Sequence, residues 1–310
     1  MKKNSKIIIT AFVLSLPLWW GFNILQEKLE NALLANISEP LQNTFIFEID
    51  LRPKLEIEAE AAMSVRINQL GEKRKIMFQK NTNEILPIAS LTKLMTALVV
   101  LDNSNEFDLS KVITISKKAA GRENAMVLGS LTVNEKYTLD KLFELMLVYS
   151  SNDAAWALSE IMGVENFVAR MNDKATKIGM KNTHFLNPTG LDPDIGNPIE
   201  FDDPTNFNYS TAEDLTILSQ YISEKYPSIF EYSLHPESHY SIENGISVLV
   251  LSDEKKVIGG KTGYTDAALG CITFVYKDKK GNSFFNIILR SENKETRIYE
   301  MQKLVNWLSL

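Results

Sequence analysis

The sequence predicts an α+β fold, an α/β/α sandwich in which one antiparallel sheet takes strands from both ends of a domain while helices fill the middle. Three observations carry this expectation. Alternating apolar residues mark Ala61 to Ile67 and, after the glycine turn Leu70-Gly71-Glu72, Lys75 to Phe78. From Leu91 to Ile222 the apolar spacing is helical, with capping and glycine signals at the ends. After Val257 strand patterns return and close on one last helix.

The elements follow in order. Lys2, Lys3 and Lys6 precede an apolar stretch from Ile7 to about Leu25, which reads as an export signal long enough to span a bilayer. No A-x-A cleavage pattern follows, so an uncleaved membrane anchor over 1–25, a stalk over 26–55 and a globular domain over 56–310 are expected, with a cleaved signal peptide as the alternative. That domain would lie outside the cytoplasm, attached to the cell membrane through the N-terminal helix.

Within the domain, Pro87-Ile88-Ala89-Ser90 opens a helix whose apolar residues Leu91, Leu94, Met95, Leu98 and Leu101 share one face. Further helices fit Leu139 to Val148, Ala154 to Met162 and Asn166 to Ile178, the last two stopped by Gly163 and Gly179. Ser210-x-x-Glu213 reads as the capping box of a helix through Ile222. Strands then fit Ser247 to Leu251, Val257 to Gly260 running into Lys261-Thr262-Gly263, Ala268 to Tyr276 and Ser283 to Leu289, the last two forming a hairpin. A final helix from about Glu295 to Leu308 turns Ile298, Met301, Val305 and Leu308 inward.

Composition narrows the function. A formal charge of −6 with no long basic run argues against a nucleic-acid partner. Cys271 is the only cysteine, so no internal disulfide or cysteine metal cage can form. His235 and His239 are four apart, but Pro236 between them speaks against a helical metal pair, so no metal is expected.

Three short motifs carry the chemistry: Ser90-Leu91-Thr92-Lys93, Ser150-Ser151-Asn152 and Lys261-Thr262-Gly263. Alone, each has an ordinary reading, as a helix cap, a capping turn and a strand-to-turn passage. In this order they read as an active-site serine acyl-transfer enzyme. Lys93 lies one helical turn from Ser90 and can act as its base if its charged form is disfavoured by the helix dipole, by burial and by Lys261. The backbone N–H groups of Ser90 and Tyr264 are candidate oxyanion donors, and Lys261 and Thr262 fit a substrate carboxylate.

These residues resemble the low-molecular-mass penicillin-binding proteins of the D-alanyl-D-alanine carboxypeptidase family. The likeness extends over Leu86 to Ala97, Ser151 to Ala155, Gly179 to Phe185, Gly190-Leu191-Asp192 and Gly260 to Asp266, within a span from about Glu58 to the C-terminus. It implies the serine β-lactamase and penicillin-binding-protein transpeptidase-like fold, with no metal or organic cofactor. Ser90 would be the acylated nucleophile, Lys93 its base, and Ser150 and Asn152 the groups for proton transfer and positioning. Lys261, Thr262, Gly263 and Tyr264 would bind the substrate, a peptidoglycan stem peptide, and β-lactam antibiotics would be covalent inhibitors. Arg290 is a candidate partner for the substrate carboxylate, and His184 is expected to have a structural role.

The expected activity is removal of a terminal D-alanine through an acyl-enzyme. Cleavage of D-alanyl cross-links by an endopeptidase is the alternative. A β-lactamase is disfavoured because no Glu-x-x-Leu-Asn segment offers a base for the deacylating water, and a silent wall-binding protein would not need Lys93 and Lys261 together.

Overall fold

A computed structural model describes residues 52–71, 73–122, 129–193, 203–234, 249, 251–252 and 255–310. The expected membrane anchor, nearly all of the stalk, His235, His239 and most of the Ser247 to Leu251 segment lie outside the described residues. Residues 54–310 form one compact unit.

Its centre is a five-stranded antiparallel sheet: β1 (Ala61–Ile67), β2 (Arg74–Lys80), β7 (Lys255–Thr265), β8 (Leu269–Asp278) and β9 (Ser283–Ser291), in the spatial order β2-β1-β9-β8-β7. The N-terminal hairpin thus lies beside the C-terminal one, with Ala61 opposite Leu289 and Ile67 opposite Ser283. Short strand pairs β3 (Leu86–Pro87) with β6 (Tyr209–Ser210), and β4 (Val112–Thr114) with β5 (Lys136–Thr138), tie the helical middle together.

Period-two alternation explains the two layers on this sheet. Cys271, Val275, Phe285, Ile287 and Leu289 join Met63 and Val65 in the larger core beneath the helical middle. Their neighbours Ile272, Phe274, Tyr276, Phe284 and Ile288 face the other way, into a second core. That core is closed by the last helix, α7 (Lys294–Trp307), through Met301, Leu304 and Val305. With both faces covered, β8 and β9 read as nearly unbroken apolar runs. The buried Ser64 hydroxyl donates to Asn286 Oδ1 at 2.8 Å, and Asn286 Nδ2 donates to the Phe274 carbonyl at 3.0 Å, satisfying the polar pair between the layers.

The helical middle comprises α1 (Thr92–Asp102), α2 (Leu139–Val148), α3 (Asn152–Glu160), α4 (Val164–Ile178), α5 (Ala212–Lys225) and the single turn α6 (Ser228–Glu231). Two expectations need correction. First, α1 has no solvent face: every residue from Thr92 to Val100 is buried, because the helix runs through the middle of the domain with neighbours all round. Second, α5 is capped by Thr211, whose Oγ1 accepts from Asp214 N at 3.1 Å, and not by Ser210. The Ser210 hydroxyl is engaged with Thr183 Oγ1 at 2.7 Å, and Glu213 pairs with Arg74 at 2.6 Å, so neither half of the expected capping box is available.

Candidate active site

The nucleophile candidate sits just before α1. Ala89 to Leu91 form a 3-10 turn, entered through Ala89 at φ +45°, and no side chain caps it. Ser90 therefore does not spend its hydroxyl as a helix cap. Instead its Oγ lies 2.8 Å from Lys93 Nζ, one turn along.

Lys93 is fully buried, and its Nζ also donates to Asn152 Oδ1 at 2.7 Å and to the Thr189 carbonyl at 2.8 Å. The carbonyl can only accept, and so can the amide oxygen. These two acceptors claim two N–H bonds of the amine. The third tetrahedral position points to Ser90 Oγ, and it holds either an N–H or, once the amine is neutral, the lone pair that takes the serine proton. The hydrogen-bond pattern aims the Lys93 amine at Ser90 Oγ.

The Ser150-Ser151-Asn152 turn divides its labour. Ser151 is structural: its Oγ accepts from Ala154 N at 3.0 Å, capping α3, and donates to the Gly129 carbonyl at 2.6 Å. Asn152 begins α3 and reaches Lys93. Ser150, held at φ +60°, turns the opposite way and accepts from Lys261 Nζ at 2.8 Å. A residue other than glycine in the left-handed region carries about 1–3 kcal/mol of strain, consistent with a position set by chemistry.

Lys261, Thr262, Gly263 and Tyr264 lie on β7, which among the described residues pairs with β8 alone. The strand runs past the Ala89–Leu91 turn. A Cβ on Gly263 would come within 2.9 Å of Ser90 N, so the strand approaches the serine as closely as glycine allows. Gly190 packs from another side at φ +84°, where a Cβ would lie 1.9 Å from the Ala89 carbonyl oxygen.

Between these elements is a cavity of about 150 Å³. Ser90, Ser150, Asn152, Thr262, Gly263 and Tyr264 line it, while Lys93 and the buried Lys261 stand behind, bonded to the two serine hydroxyls. All eight expected site residues are brought together. Asp192 braces the far rim, accepting from Thr265 Oγ1 at 2.8 Å and Ala267 N at 3.1 Å, and burial raises its carboxyl above the usual range.

Arg290 requires correction. Its Nη1 pairs with Glu60 Oε2 at 2.7 Å and its Nε donates to the Ala267 carbonyl at 3.2 Å, and it does not line the cavity. The arginine in the cavity wall is Arg297 on α7, almost fully buried, with Nη1 donating to the Gly263 carbonyl at 2.6 Å. Its signal was present in the sequence: Arg297 falls on the same helical stripe as Met301, Leu304 and Val305, where a charged side chain needs a reason. Lys294, one turn earlier, also lines the cavity and lies 5.3 Å from the Tyr264 ring. His184 joins the β6 region through its backbone, donating to the Tyr209 carbonyl at 3.1 Å.

Residues 49–291 match the family described as D-alanyl-D-alanine carboxypeptidase. A carboxypeptidase of Bacillus subtilis, DacF, is 32% identical over 238 residues, which cover 73% of this chain and 56% of that protein. The chain thus spans little more than half of that relative. A D-alanyl-D-alanine endopeptidase of Pseudomonas aeruginosa is 31% identical over 245 residues, covering 76% of this chain and 73% of that protein. Among solved structures, penicillin-binding protein D2 of Listeria monocytogenes in its ampicillin-bound form superposes with a TM-score of 0.67 at 27% identity, over 84% of this chain and 100% of that one.

Proposed function

The chain belongs to the D-alanyl-D-alanine carboxypeptidase family of serine-type peptidases, and from that membership we propose that it removes the terminal D-alanine of peptidoglycan stem peptides through an acyl-enzyme on Ser90. The observation that carries this reading is Lys93 Nζ, held by Asn152 Oδ1 and the Thr189 carbonyl with its third position on Ser90 Oγ.

In the proposed sequence, Ser90 Oγ attacks the carbonyl of the penultimate D-alanine as its proton passes to neutral Lys93. The oxyanion takes hydrogen bonds from the Ser90 N–H and from the backbone of β7. The C–N bond then breaks, the proton held by Lys93 passes to Ser150 as Ser150 gives its own to the departing amine, and Lys261 orients that hydroxyl. Water attacks the ester by the reverse of these proton movements and regenerates Ser90. Thr262, Lys261 and Arg297 receive the substrate's terminal carboxylate, which fixes the register of cleavage. A β-lactam would acylate Ser90 in the same way and leave slowly.

Arg297→Ala is expected to raise KM for a peptide ending in D-Ala-D-Ala by about 10- to 100-fold, the worth of a charge-assisted hydrogen bond to a carboxylate. The C-terminal amide of the same peptide should lose nothing further. An equal loss on both substrates would remove Arg297 from carboxylate binding.

A second reading is favoured by one observation: the Pseudomonas relative named as an endopeptidase is matched over more of its length than the Bacillus carboxypeptidase. Incubation with a pentapeptide stem and with a cross-linked dimer, followed by mass spectrometry, separates the two. Loss of one D-alanine from the pentapeptide is expected; separation of the dimer alone would replace the carboxypeptidase by an endopeptidase with the same serine chemistry.

We also propose that the N-terminal apolar segment carries the domain across the membrane and holds it there. The full chain should sediment with membranes while a form beginning near Pro53 stays in solution. A full chain that stays soluble would reject the anchor.

A further inference from the structure

The acceptor that completes the Lys93 site, the Thr189 carbonyl, belongs to a loop with an unusually dense polar fixation. Asn187 Oδ1 accepts three bonds from the residues that follow it: Thr189 N at 3.0 Å, Thr189 Oγ1 at 2.8 Å and Gly190 N at 2.8 Å. The other end of that amide donates to the Leu191 carbonyl at 3.1 Å. Because backbone N–H groups can only donate, the amide orientation is set by its surroundings.

Asn208, 2% exposed, fixes Asn187 in turn. Its Oδ1 accepts from Leu186 N and Asn187 N, and its Nδ2 donates to the Asn187 carbonyl at 2.8 Å and to Thr92 Oγ1 at 3.0 Å. Three successive carbonyls, those of Asn187, Pro188 and Thr189, therefore meet Asn208, Thr96 Oγ1 and Lys93 Nζ respectively. Two of these donors sit on α1 itself, and Asn208 reaches that helix through Thr92.

From this geometry we propose that Asn187 and Asn208 are positioning residues for acylation: they hold the Thr189 carbonyl against Lys93 and so aim the lysine lone pair at Ser90. The inference rests on the reading of Ser90 as nucleophile and Lys93 as base. Neither asparagine touches the substrate, and both act through the base. A tetrahedral amine with one acceptor removed can rotate about its last bond, and the lone pair then spends less time on the Ser90 hydroxyl. An error of this kind, small in distance, carries a large rate effect.

The test is a double-mutant cycle on the rate of acylation by a fluorescent penicillin, measured per labelled site. Asn187→Ala in the otherwise unchanged protein is expected to slow acylation by about 10- to 100-fold with little change in the dissociation constant of the preceding non-covalent complex. In a Lys93→Ala background the same change should cost almost nothing, because there is no lone pair left to aim. Asn187→Asp, which keeps an oxygen for Thr189 and Gly190, should restore most of the rate. If Asn187→Ala does not fold, Asn208→Asp takes its place in the cycle, since it keeps the accepted bonds and loses the donated ones. Equal losses in both backgrounds would overturn the proposal and leave the asparagines as structural supports. Labelling that persists in Ser90→Ala would instead reject the nucleophile assignment beneath it.

Discussion

Ser90→Ala is expected to abolish covalent labelling by penicillin and hydrolysis of D-alanyl peptides, while leaving the folded protein almost unchanged. Among the described residues the Ser90 hydroxyl bonds to Lys93 Nζ, and that amine keeps Asn152 Oδ1 and the Thr189 carbonyl when the hydroxyl is gone. Stability should therefore change by no more than about 1 kcal/mol, the usual worth of one hydrogen bond. Thermal melting and mass spectrometry of the penicillin-treated protein check the two halves of the expectation. A mass increase of one antibiotic molecule in the variant would place the nucleophile elsewhere.

Lys93→Ala comes second in size. Removing a positioned general base slows its step by about 100-fold or more, and here the same change takes from the buried Thr189 carbonyl its bond to Lys93 Nζ. Some destabilisation, about 1–3 kcal/mol, should accompany it. Lys93→Arg separates the base from the charge: a guanidinium stays protonated and cannot take the serine proton, so acylation should be as slow as in the alanine variant. Acylation by the arginine variant at near-normal rate would show that charge, not proton transfer, is what the site requires.

Much of this site could be read from the sequence because its parts lie on local elements. The spacing of Ser90 and Lys93 is a property of one helical turn, and Gly263 beside Lys261 and Thr262 announces a strand that something approaches. The sheet's hairpins were equally plain, since β8 and β9 alternate between two apolar layers and are joined by a tight turn. What the sequence did not disclose arises from tertiary packing. The choice between Arg290 and Arg297 depends on which element closes the cavity, and seven residues of separation place the two on different elements. Asn187 and Asn208 look like ordinary loop residues, and only folding puts their amides behind the base. The cap at Thr211 was missed by one residue because Thr183, distant in sequence, occupies the Ser210 hydroxyl.

The interleaving of the two hairpins also bears on when the cavity can form during folding. Strands β1 and β9 meet across most of the domain; Ser64 and Asn286, bonded side by side, are 222 residues apart. Contacts this remote form late and slowly, since the intervening chain must be gathered first. The serine and its base belong to the early part of the chain, whereas β7 and the arginine that shape the pocket come from residue 255 onward. A chain ending before Lys255 has Ser90, Lys93, Ser150 and Asn152 but lacks β7 and α7, which line the other side of the cavity. A chain trimmed back through that stretch is therefore expected to lose penicillin labelling outright, which mass spectrometry after limited proteolysis would check.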